Sequence, residues 1–184
     1  MTTEQLILSN ALARVPFERI ADALHVSLPA VNQTIQEYMH LVQEWIALGL
    51  HPFFACTTLA EIQKNRLQFE TVLADIDRWD TVTKPVAQML FKKIPAPKVM
   101  ETLNLSRVEL MDQLTDAVLK LNLLLKPKEV VVLNKALAEN KVSEWVSNNR
   151  DKAIALLDAI PSKTGGNRLS KIEFQSCIIN ESVA

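Results

Sequence analysis

The chain reads as all-α. Three observations point there: only three glycines in 184 residues, apolar residues that return at three- and four-residue intervals, and prolines and serines standing where helices would begin. So few glycines exclude collagen-like and hairpin-dense architectures, which need them at tight backbone positions. With 48% hydrophobic and 22% charged residues, the chain can form a packed core and does not read as disordered. Its length suits one domain or two small ones.

The elements follow in order. A first helix runs from Gln5 to Ala13, with Leu8, Ala11 and Leu12 on one side. Pro16 suits the first turn of a second helix, where its missing N–H costs nothing, and Ile20, Ala21 and Leu24 give that helix its apolar face. His25-Val26-Ser27 breaks it, and Ser27 caps a third helix with Pro29 in its first turn. Leu28, Val31, Ile35, Tyr38, Val42 and Trp45 approximate an a/d stripe along this third helix until Gly49 ends it; such a stripe packs on the following helix or forms a dimer seam. Thr58-Leu59-Ala60-Glu61 is a capping-box pattern that opens a connecting helix, with Ile62, Phe69, Leu73 and Ile76 inward.

The plan then returns. Thr83 caps a helix with Pro85 just inside it, ending near Lys93; Pro95 and Pro97 open a short helix to Leu103; Asn104-Leu105-Ser106 turns into a long helix carrying Leu110, Leu114, Val118, Leu121 and Leu125 before Pro127. Shifted by 79 positions, residues 4–46 fall on 83–125 without a gap. Pro16 meets Pro95, Leu24 meets Leu103 and Ser27 meets Ser106, among conservative pairs such as Ile7/Val86, Arg14/Lys93, Val15/Ile94, Ile20/Val99, Val26/Leu105 and Val31/Leu110. Ala136 to Val146 echoes the turn with its register off by a residue, so it does not count as a third copy.

The expected organisation is therefore a trihelical unit over 1–53, a connecting helix over 54–81, a second trihelical unit over 82–126, C-terminal helices over 127–160 and a flexible tail over 161–184. In the tail, Ile172, Phe174, Ser176 and Ile178 alternate as in a strand.

The segment Ile20-Ala21-Asp22-Ala23-Leu24-His25-Val26-Ser27-Leu28-Pro29-Ala30-Val31 resembles the helix-turn-helix of DNA-binding regulators. The small Ala21, Leu24 before the turn, Val26 and Ser27 after it, and Val31 in the following helix carry the likeness. The second copy matches through Leu103, Leu105, Ser106 and Leu110 but has Met100 in place of a small residue. His25 and Asn104 stand where that family has its turn glycine; both types are enriched at positive φ among non-glycine residues.

The resemblance implies a reading helix whose N-terminal residues meet base edges in the major groove. In the first copy these are Ser27, Leu28, Asn32, Gln33 and Gln36, and in the second Arg107. Asn and Gln can pair with adenine, Leu28 can touch a thymine methyl, and Arg107 can pair with guanine. Arg19, Lys92, Lys93, Lys98 and Ser106 are the expected phosphate contacts. Charge is divided unevenly. Residues 1–50 hold Arg14 and Arg19 against Glu4, Glu18, Asp22, Glu37 and Glu44, whereas the second copy carries the lysine cluster beside Glu109 and Asp112.

The expected function is a transcriptional regulator that binds double-stranded DNA as a homodimer. The rivals are an adaptor or anti-factor docking on a protein partner, and a DNA-packaging or partition component. No enzyme, cofactor or metal is expected. His40, Glu44, His51 and Cys56 fit no recognised zinc spacing, Asp75, Asp77 and Asp80 read as solvated charge, and Gly165-Gly166 lacks the setting of a phosphate loop. The net charge of −1, the two cysteines (Cys56, Cys177) and the lack of a spanning apolar run point to a cytoplasmic chain without membrane association.

Overall fold

The computed structural model describes residues 2–51 and 58–162, which are all-helical and contain no strand. The helices are α1 (Thr3–Leu12), α2 (Phe17–Leu24), α3 (Leu28–Ala47), α4 (Leu59–Lys64), α5 (Arg66–Arg78), α6 (Lys84–Phe91), α7 (Ala96–Leu103), α8 (Arg107–Asn122), α9 (Pro127–Ala138), α10 (Val142–Asn148) and α11 (Arg150–Ala159), with a π turn at Trp79–Thr83. The chain divides into two compact units. Among the described residues the first holds 2–47, 51 and 58–74, and the second holds 48–50 and 75–162. The expected connecting segment is thus shared between units, and α9–α11 belong with α6–α8. Cys56, Cys177 and the alternating segment 172–178 lie outside the described residues.

In the first unit α1 packs on α2, α3 and α4, and α2 packs on α3. α1 starts at Thr3, earlier than its apolar pattern indicates, because Thr2 and Gln5 form a reciprocal capping box: Gln5 N–H donates to Thr2 Oγ1 at 3.2 Å and Thr2 N–H to Gln5 Oε1 at 2.8 Å. It ends in a Schellman turn at Arg14 (φ 65°), with Val15 N–H donating to the Asn10 carbonyl and Arg14 N–H to that of Ala11. Pro16 is extended (φ −57°, ψ 143°) and stands immediately before α2, not inside it as expected. His25, at φ 55° and ψ 44°, closes α2 with a second Schellman turn, and Ser27 Oγ accepts from Ala30 N–H at 3.2 Å to start α3.

Ile7, Leu8, Ala11, Ile20, Val31 and Ile35 are buried among these helices. Beyond Ile35, α3 is covered around most of its circumference: Gln36, Tyr38, Met39, His40, Leu41, Val42, Glu44 and Trp45 are all buried. The a/d stripe is therefore interior, apart from Leu28, and provides no dimer seam. Gly49 follows α3 at φ 76°.

Thr58 Oγ1 accepts from Glu61 N–H at 3.3 Å, as the capping pattern requires. The single helix expected after it is instead two, broken at Asn65 (φ −109°, ψ 35°). Val72 is buried where Leu73 was expected, and Leu73 is half-buried.

In the second unit α6 packs on α7, α8 and α11; α8 packs on α9 and α11; α10 packs on α9 and α11. Thr83 is not a cap. It is helical (φ −65°, ψ −51°), fully buried, and its hydroxyl donates to Gln113 Oε1. The chain passes from α5 into α6 through the π turn, with Lys84 N–H bonding back to the Trp79 carbonyl. Pro85 lacks an N–H and would crowd the carbonyl four residues earlier, so the widened turn accommodates it without ending the helix.

From there the backbone repeats at the 79-residue offset. α7 and α8 begin 79 residues after α2 and α3, at Ala96 and Arg107. Lys93 (φ 63°) and Asn104 (φ 53°) are left-handed like Arg14 and His25, and Pro95 (φ −57°, ψ 139°) matches Pro16. Ile94 and Leu105 make the bonds that Val15 and Val26 make, and Ser106 Oγ accepts from Glu109 N–H at 3.2 Å. Val86, Val99 and Leu110 form one buried core cluster of this unit, at the positions Ile7, Ile20 and Val31 hold in the first. A fifth left-handed non-glycine residue among those described, Asn140, closes α9, but α10 follows it one residue sooner and no serine caps it.

Candidate nucleic-acid interface

Each unit exposes the front of its third helix because the Schellman turn and the serine cap bring the chain sharply around just before it. In the first unit Ser27, Leu28 and Gln33 are exposed at the start of α3, and Arg19 is exposed on α2. The Ser27 oxygen is committed as an acceptor to the cap, but its hydroxyl proton is available to a phosphate. Gln33 holds Glu37 Oε1 through Nε2 at 3.2 Å, a surface contact that a base edge can replace.

Two expected reading residues are placed differently. Gln36 is 7% exposed and lies inside the covered part of α3, so it cannot reach a groove. Asn32 is half-buried: its Nδ2 donates to the Leu28 carbonyl at 3.4 Å, and its buried Oδ1 accepts nothing among the described residues. To pair with adenine it must turn outward, which would also release that buried oxygen.

The second unit brings its cations to the surface. Lys92 and Lys93 at the end of α6, Lys98 on α7 and Arg107 at the first turn of α8 are all exposed. No ion pair engages any of the four among the described residues. Val108 and Met111 stand beside Arg107 on the same helix, 70% and 52% exposed. Asp112 and Glu109 are exposed there too, and the Glu109 backbone is occupied by the Ser106 cap.

Elsewhere, His40 Nε2 and Glu44 Oε1 lie 2.8 Å apart in a buried pair that the sequence placed one turn apart without indicating its burial. Among the described residues no group of three His, Cys, Asp or Glu side chains could hold a metal ion. No described helix is long and apolar enough to cross a membrane. A cavity of about 400 Å³, which no local pattern in the sequence marks, lies in the second unit and is lined by α6, the start of α7, α8, α10 and the start of α11. No protein-family model, curated protein or solved structure matches the chain.

Proposed function

We propose that the chain is a sequence-specific duplex-DNA-binding protein, a transcriptional regulator built on two degenerate helix-turn-helix units and acting as a homodimer. What carries this reading is the recurrence, at a 79-residue spacing, of one backbone: left-handed closing residue, serine cap and exposed front of the following helix. A helix offered this way can enter a major groove by its first turns. The units divide the work. Lys92, Lys93, Lys98 and Arg107 in the second supply charge against phosphates, with Arg107 also able to reach a guanine. Leu28, Asn32 and Gln33 in the first supply a reading edge, and Arg19, Ser27 and Ser106 hold backbone phosphates. Dimerisation adds a second half-site to modules that are individually weak.

Selection of bound duplexes from a random library at two salt concentrations tests this. The expected result is an enriched two-fold site, with affinity falling at a log–log salt slope of about −7 to −9 for the eight to ten phosphates that two protomers neutralise. Changing Asn32 and Gln33 together to Ala should flatten base preference while leaving that slope, and Lys98→Ala, which removes one phosphate contact from each protomer, should reduce the slope by about 2 and leave the preference. A chain that retains no duplex at low salt overturns the proposal.

A second reading has its own observation. Val108, Met111, Leu119 and Leu123 expose an apolar line along α8, which suits a protein partner better than a phosphate backbone. An adaptor would recover a protein through that line and ignore DNA.

A further inference from the structure

We propose that the second unit contains a binding pocket for an amphipathic carboxylate, a short aliphatic chain ending in one anionic head. The cavity measures about 400 Å³, within the range of small-molecule sites. Leu90, Ile94, Leu110, Leu114, Val142 and Val146 give it an apolar interior. Two cations, Lys93 and Arg150, line it as well, and no carboxylate does.

The cations are free to take a ligand. Arg150 donates through Nε to the Phe91 carbonyl at 2.9 Å, which anchors the side chain and leaves its two terminal nitrogens, a fork that matches a carboxylate's oxygens. Neither Arg150 nor Lys93 makes an ion pair among the described residues. Lys93 is pinned at φ 63° by the Schellman turn that ends α6, so its stem departs from a fixed point on the rim. Of the two hydroxyls present, Ser143 and Ser147, that of Ser147 donates to the Ser143 backbone carbonyl at 2.9 Å.

This composition selects among ligand classes. A neutral hydrocarbon would fill the interior but leave two cations facing an apolar molecule. A nucleotide or sugar phosphate would satisfy the cations but set a polar body against leucine, isoleucine and valine, with few partners for its hydroxyls. An aliphatic carboxylate suits both halves. The pocket does not depend on the DNA-binding reading, and its test contains no DNA.

The test is calorimetric titration of the full chain with octanoate and, separately, with octanol, its uncharged counterpart. One octanoate per chain is expected, with octanol at least about tenfold weaker, since a charged hydrogen-bonded head group contributes that much or more. Lys93→Asn, which keeps a residue tolerant of positive φ, and Arg150→Gln should each weaken octanoate about tenfold and leave octanol unchanged. Ser147→Trp, at an exposed position on the rim, should abolish binding of both. Absence of saturable octanoate binding, equal affinity for octanoate and octanol, or binding indifferent to Ser147→Trp would overturn the proposal.

Discussion

α3 and α8 begin alike and then part. At the 79-residue offset, Pro29, Asn32, Gln36, His40 and Glu44 of α3 stand opposite Val108, Met111, Thr115, Leu119 and Leu123 along α8. The polar line is the covered one: Gln36, His40 and Glu44 are buried, and the last two are paired at 2.8 Å. The apolar line is the exposed one, with Leu119 and Leu123 50% and 52% exposed. Burial of polar groups and exposure of large apolar ones are the informative departures from ordinary partitioning. Here they fall on corresponding faces of two units whose turns and core positions match. The backbone of such a unit is held by a few positions, so the remaining faces can diverge in chemistry without altering it.

The largest test of that correspondence is in the core. Leu110→Ala should cost about 3 kcal/mol of stability, since a buried leucine loses its transfer energy and leaves a cavity. Val31→Ala, at the corresponding position and equally buried, removes two methyls and should cost about 2 kcal/mol. Urea denaturation of both variants measures the difference. A near-neutral result at either site would mean that the two positions do not hold equivalent cores.

The turns come next. His25 and Asn104 occupy the left-handed region at φ 55° and 53°. A β-branched side chain there meets the following carbonyl, so His25→Val and Asn104→Val should each lose about 1–2 kcal/mol, and the glycine variants should lose far less. Thermal melts of the four variants decide it. If only one unit responds, the shared backbone is not under shared control.

Legibility in the sequence followed how local each signal was. The two serine caps and the left-handed His25 and Asn104 were readable because their side-chain types are rare elsewhere in helices. Arg14 and Lys93 adopt the same left-handed geometry, yet long cationic residues carry no such signature. The signal those turns do carry is the apolar residue after each, Val15 and Ile94, whose N–H completes a Schellman motif. Thr83 and Pro85 imitated a helix start because composition cannot distinguish a cap from a π turn that accommodates proline. Gln36 reads as a base-contacting residue in the sequence because a polar type at an early helical position is ordinarily exposed. Its burial comes from tertiary cover on α3, which no local pattern encodes. The pocket beside Arg150 was unreadable for a related reason: its walls come from helices more than fifty residues apart in the chain.

The smallest expected effect is the most discriminating. Ser27 and Ser106 each accept a backbone N–H three residues on, both at 3.2 Å and both at exposed sites. Replacing either by Ala leaves one N–H of the first turn to water, at a cost of about 1 kcal/mol. With matching cap geometry the two losses should agree within about 0.5 kcal/mol, the scale on which distant sites add, and the double variant should show their sum. The DNA-binding reading adds a second consequence. Both hydroxyls are also expected to meet phosphates, so each substitution should weaken duplex binding as well as folding, without changing which sequence is preferred. Equal folding losses with no change in duplex affinity would keep the structural correspondence between the units and remove these two serines from the proposed interface.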